Sequence, residues 1–81
     1  AVRLPLDNTA VAARLRRIAD GLERPDGNPH RVRAYRTAAD TVERLERPVS
    51  DVLGEGGRVG LELLPGVGKR LSQVIEQLTL T

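Results

Sequence analysis

The chain contains no cysteine, methionine, phenylalanine or tryptophan, and Tyr35 is its one aromatic residue. Without cysteine there is no disulfide framework, no thiolate metal site and no thiol nucleophile, a usage that fits a reducing compartment. His30 is the one histidine, and no carboxylates cluster at ligand spacing, so neither a transition-metal site nor a Ser/His/Asp arrangement can be assembled. A single aromatic offers no platform on which successive bases could stack, which argues against a general single-strand binder. No apolar run approaches the roughly 20 residues of a membrane span, and residues 1–6 lack the apolar core of a signal peptide. The expected setting is cytoplasmic, at the nucleoid in a bacterium, with no membrane contact. Strand-like alternation and internal repeats are also missing.

What remains is helical. The 81 residues suffice for one domain, residues 1–81, with a single core that must be aliphatic. Asp7 or Asn8 can cap a first helix whose apolar face is Val11, Leu15, Ile18, Ala19 and Leu22, and Arg24-Pro25-Asp26-Gly27 ends it. Asn28 followed by Pro29 is a cap and first-turn signature for a second helix to about Leu45, with Val32, Tyr35, Ala38, Ala39, Val42 and Leu45 inward. Pro48 closes that segment. Ser50 or Asp51 is positioned to cap a short turn to Leu53, residues 54–60 read as a glycine-rich loop, and another short helical stretch ends at Leu64. A last helix runs from about residue 68 to 80, with Leu71, Val74, Ile75 and Leu78 at i, i+3, i+4 and i+7. The prediction is an all-α compact bundle of four to five helices.

The join before the last helix, Leu64-Pro65-Gly66-Val67-Gly68-Lys69-Arg70, is the feature richest in chemistry. Pro65 pushes Leu64 towards an extended backbone, and Gly66 and Gly68 are free to take positive φ and let another backbone come close. The first amides of the helix then point outwards beside Lys69 and Arg70, which makes an anion site. A nucleotide loop of the GxxxxGK[ST] kind fails on spacing, because Leu63 and Arg70 stand where glycine and a hydroxyl residue are required, and no strand precedes it. A plain helix-to-helix connector stays open as the other reading.

The net charge is only +2 from 13 basic and 11 acidic residues, but placement is uneven. The second helix begins with His30, Arg31, Arg33 and Arg36 and no acid, at the end where the helix dipole is already positive. A bound polyanion would offset that charge, and so would acids elsewhere in the fold, such as Asp26. Counting 100° per residue sets Arg31 in the inward arc with Tyr35. Either its stem lies over apolar surface beyond the core's edge, or its guanidinium shares a pocket with Tyr35.

Asn28-Pro29-His30-Arg31-Val32-Arg33-Ala34-Tyr35-Arg36-Thr37-Ala38-Ala39, followed by Leu61-Glu62-Leu63-Leu64-Pro65-Gly66-Val67-Gly68-Lys69, resembles the N-terminal helix-hairpin-helix domain of family X DNA polymerases, the DNA polymerase beta type. Similar modules also stand alone as DNA-binding proteins, and the resemblance spans nearly the whole chain. It implies that the hairpin clasps the DNA backbone with the amides of Gly66, Gly68 and Arg70. The carbonyls of Glu62, Leu64 and Val67 would hold a monovalent cation, Na+ or K+, with no other cofactor required. A 5′-phosphate pocket at a gap or nick would fall on His30, Arg31, Tyr35, Arg36 and Arg70.

In that family the domain is also a deoxyribose phosphate lyase whose nucleophilic lysine lies in the second hairpin helix, and Val74 occupies the matching position here. The polymerase aspartates belong to other domains, which are implied partners within a longer chain. The expected function is therefore DNA binding without base readout, through Gly66, Val67, Gly68, Lys69, Arg70 and the arginine-rich start of the second helix including Arg33. Affinity should fall steeply with salt. Two alternatives are a lyase acting through Lys69, the one lysine in the chain, and a protein-interaction module whose arginines meet acidic partners.

Overall fold

Helix α1 (Asn8–Leu22) starts where Asp7 stays extended and its side chain accepts the Ala10 amide at 2.7 Å. A computed structural model describes residues 7–80, so the segment read for a signal peptide, residues 1–6, lies outside the described residues. Helix α2 (Pro29–Arg44) begins as its sequence predicts: the Asn28 side chain accepts the His30 amide at 2.9 Å, and Pro29 occupies the first turn. Helix α3 (Val49–Glu62) and helix α4 (Lys69–Leu80) complete the order. Among the described residues these four helices are the only regular elements, and no strand is present.

Two expectations are corrected in α3. Residues 54–60 are helical rather than a loop, apart from a kink at Gly57, whose φ of 61° and ψ of −158° lie outside the helical region. The three helical glycines of this stretch, Gly54, Gly56 and Gly60, weaken the helix by about 1 kcal/mol each relative to alanine. Packing of Val52, Leu53 and Leu61 against the core overrides that preference and leaves only a bend. Neither Ser50 nor Asp51 caps the helix. Pro48 occupies the cap position without a side-chain bond, and the cap comes from α1, where Asn8 Oδ1 accepts the Val49 amide at 2.7 Å. The Asn8 Nδ2 group donates to the Arg47 carbonyl at 2.8 Å, so one side chain ties the start of α1 to the α2–α3 connection.

The core is aliphatic except for Tyr35. Leu15, Val42, Leu61 and Ile75 have no exposed surface, and burying each contributes about 2 kcal/mol. The fully buried alanines Ala12, Ala19, Ala38 and Ala39 leave room for α1 and α2 to lie close together. Cross-helix ion pairs frame that interface, Arg16 of α1 with Asp40 and Glu43, and Arg36 of α2 with Asp20 and Glu23. Helices α3 and α4 form the other pair, and α4 also touches α1 and α2. No described helix is long and apolar enough to cross a membrane.

Candidate nucleic-acid interface

The connection between α3 and α4 is a tight turn. The Val67 amide donates to the Leu64 carbonyl at 3.1 Å, Pro65 occupies the second position, and Gly66 occupies the third with a φ of 76°. That combination defines a type II turn, in which the third residue must be left-handed and is therefore usually glycine. Gly68, by contrast, does not have positive φ. It precedes the first residue of α4, and its carbonyl accepts the Ser72 amide at 2.9 Å. Val67 is buried and anchors the turn in the core, while Gly66, Gly68, Lys69 and Arg70 are exposed.

The amides of Gly66, Gly68, Lys69 and Arg70 make no hydrogen bond among the described residues. No acid lies in the first turn of α4, so its dipole is uncompensated there. Lys69 and Arg70 form no ion pair among the described residues. The result is a rigid, exposed row of donors in a positive field, suited to an anion approached by backbone.

Helix α2 braces the turn, a contact that the residue pattern did not reveal. Thr41 Oγ1 donates to the Pro65 carbonyl at 2.6 Å. A Cβ added to Gly66 would lie 2.5 Å from Thr37 Cγ2, so the turn packs directly on this threonine. Arg33 lies one helical turn before Thr37 on the same side of α2. The only sequence signal for this contact is the i, i+4 threonine pair, which reads equally well as a solvated face.

The basic residues at the start of α2 separate into two groups. His30, Arg31 and Arg33 are exposed and make no ion pair among the described residues. Arg36 is occupied: hydrogen bonds from its guanidinium, chiefly to Glu23 and then to Asp20, raise its pKa above the ordinary arginine value. Of the arginine-rich helix start only Arg36 is answered by acids, Asp20 of α1 and Glu23 directly after it, whereas Asp26 forms no ion pair among the described residues. Arg33 and Arg36 open onto a cleft of about 470 Å³ between the end of α1 and the start of α2, together with Arg24 and Thr37.

Arg31 opens onto a neighbouring cleft of about 410 Å³ that also holds Asp26. It lies beside the α1–α2 connection, past the edge of the core, which is why an inward helical angle still leaves it exposed. Tyr35 is 6% exposed, its ring is part of the core, and it lines neither of these clefts. Its hydroxyl makes no hydrogen bond among the described residues and is not sealed from solvent. Lys69 faces a third cleft beside the Gly57 kink, with Arg58 and Glu62. Val74 is half-buried and packs against the core.

The family model for the helix-hairpin-helix domain matches residues 6–81, and the chain belongs to that family. Neither a curated protein nor a solved structure matches it.

Proposed function

We propose that this helix-hairpin-helix domain binds DNA through backbone phosphates without reading base sequence, and that it favours gapped or nicked duplex carrying a 5′-phosphate. Domains of this family commonly bind DNA non-specifically. The observation that carries the reading is the row of amides without a hydrogen bond among the described residues at the exposed positions Gly66, Gly68 and Arg70. A phosphate oxygen accepts from those amides at the positive end of α4, and Lys69 and Arg70 add charge that displaces counterions. Main-chain donors contact the phosphate and not the base edges, so binding is indifferent to sequence. The resemblance to family X polymerases supports a place in a repair protein or polymerase, with DNA and further domains of such a chain as partners.

The carbonyls of Glu62 and Val67 make no hydrogen bond among the described residues, and that of Leu64 accepts only the Val67 amide. These are neutral, hard oxygen donors near the C-terminal, negative end of α3. They fit the Na+ or K+ that the resemblance implies, which would supply positive charge next to the phosphate.

An amide-shift titration tests the reading. A gapped duplex should shift residues 66–70 with or without a 5′-phosphate, and should shift the start of α2 only when the phosphate is present. Shifts that avoid residues 66–70 would remove the clasp from the account.

A further inference from the structure

We infer that the groove between α1 and α4 is a docking site for an acidic amphipathic helix of a partner protein. The inference does not rest on the proposed DNA clasp, because the groove lies at the other end of α4 and uses different side chains.

The groove has a volume of about 530 Å³ and is lined by Ala10, Ala13, Arg14, Arg17 and Ile18 of α1 and by Leu78 of α4. The two helices touch over only a short length, and the alanines fill little of the space beside them. Ile18 and Leu78 pack on the core yet stay half-exposed, so the floor is apolar and open. Arg14 and Arg17 stand about one helical turn apart, exposed, and make no ion pair among the described residues.

Charge and chemistry together select the partner. No acid lines this groove, whereas the clefts at the start of α2 hold Glu23, Asp40 or Asp26, and the one at the Gly57 kink holds Glu62. A carboxylate is therefore opposed in those clefts and attracted here. A helix with leucines at i, i+3, i+4 and i+7 can seat them on the apolar floor, and carboxylates one turn apart on its flank match the spacing of the two arginines. The arginine stems extend the apolar wall while their heads stay in water. A DNA backbone brings charge but no aliphatic side chains to bury on this floor. Leu78 also lies nine residues beyond Lys69, about 14 Å along α4 from the proposed clasp.

The test is an amide-shift titration of the full chain with a synthetic helical peptide that carries leucine at those four positions and glutamate on the flank. Two further peptides replace the glutamates with lysine or the leucines with alanine, and a gapped duplex is titrated separately. The acidic peptide should shift the amides of Ala13, Arg17 and Leu78, and the other two peptides should bind about threefold or more weakly. R14Q/R17Q, which removes the charges, should weaken the acidic peptide by about threefold or more. A13Q, which fills the floor and keeps the charges, should do the same, and both variants should bind the duplex as the unaltered chain does. No shifts at the groove, or equal binding of the lysine peptide, overturns the assignment, and these two readings need no variant to fold. Duplex binding that shifts the same amides and weakens in R14Q/R17Q overturns it in favour of a DNA surface. Shifts there that grow with protein concentration in the absence of peptide overturn it in favour of a second copy of this chain.

Discussion

Replacing Gly66 with alanine should destabilise the domain by an amount that can be built from two separate causes. The residue sits at a φ of 76°, where an L-residue with a Cβ incurs a cost of about 1–2 kcal/mol. The new methyl would also lie 2.5 Å from Thr37 Cγ2, about 1 Å inside an ordinary carbon contact. Forcing the turn off α2 by that amount costs about 1–3 kcal/mol, as overpacking generally does. The sum, about 2–5 kcal/mol, compares with a total of about 4–12 kcal/mol for 81 residues. Urea denaturation followed by circular dichroism measures it. The double variant Gly66→Ala with Thr37→Ala removes the clash but keeps the backbone strain, so it should regain about half of the loss relative to Thr37→Ala alone. A loss under about 0.5 kcal/mol in Gly66→Ala would refute both the turn assignment and its packing on α2.

Thr41→Val keeps the shape and removes the bond to the Pro65 carbonyl, so it should cost about 1 kcal/mol in denaturation and weaken DNA binding, because the clasp loses its brace. Asn8→Ala leaves the Val49 amide and the Arg47 carbonyl without their partner and should cost about 1–2 kcal/mol by the same assay. The Arg16 guanidinium, through its hydrogen bonds, holds the Glu43 carboxyl below its ordinary value of 4.5. A depressed native pKa gives stability that is present above the unfolded value and is lost as pH falls through the native one. Glu43→Gln should therefore be less stable than the parent at pH 7, and the two should converge in acid when thermal melts are compared across pH.

Helix boundaries and core faces were legible in the sequence wherever local signals agreed. Asn28 and Pro29 both mark the start of α2, and its apolar spacing identifies its buried residues, whereas in α1 Ile18 and Leu22 and in α4 Val74 and Leu78 are only half-buried, and Ala12, Ser72 and Thr79 are buried without a signal in that spacing. The turn was legible for the same reason, since Pro65 and Gly66 together specify it. Contacts between distant segments were not. The Asn8 cap on α3 joins residues 41 apart, and no spacing rule points to it. Residues 54–60 misled because glycine speaks for a loop locally, while the packing that holds the helix is tertiary. Arg36 belongs to the same arginine run as Arg33, yet only the approach of α1 shows that it is already paired with Asp20 and Glu23.

The central claim, that main-chain donors at the turn hold a DNA phosphate, is tested most directly by Gly68→Ala. Gly68 has no positive φ, and a Cβ there meets nothing within 4 Å, so the fold should lose less than about 1 kcal/mol. The methyl would stand in the open space through which a phosphate reaches the neighbouring amides, which must come to about 2.9 Å of its oxygens. Duplex affinity at about 0.1 M salt should fall about tenfold or more, with stability unchanged. Unchanged affinity that still declines steeply with salt would contradict the account, because the arginine and lysine side chains alone would then carry the binding.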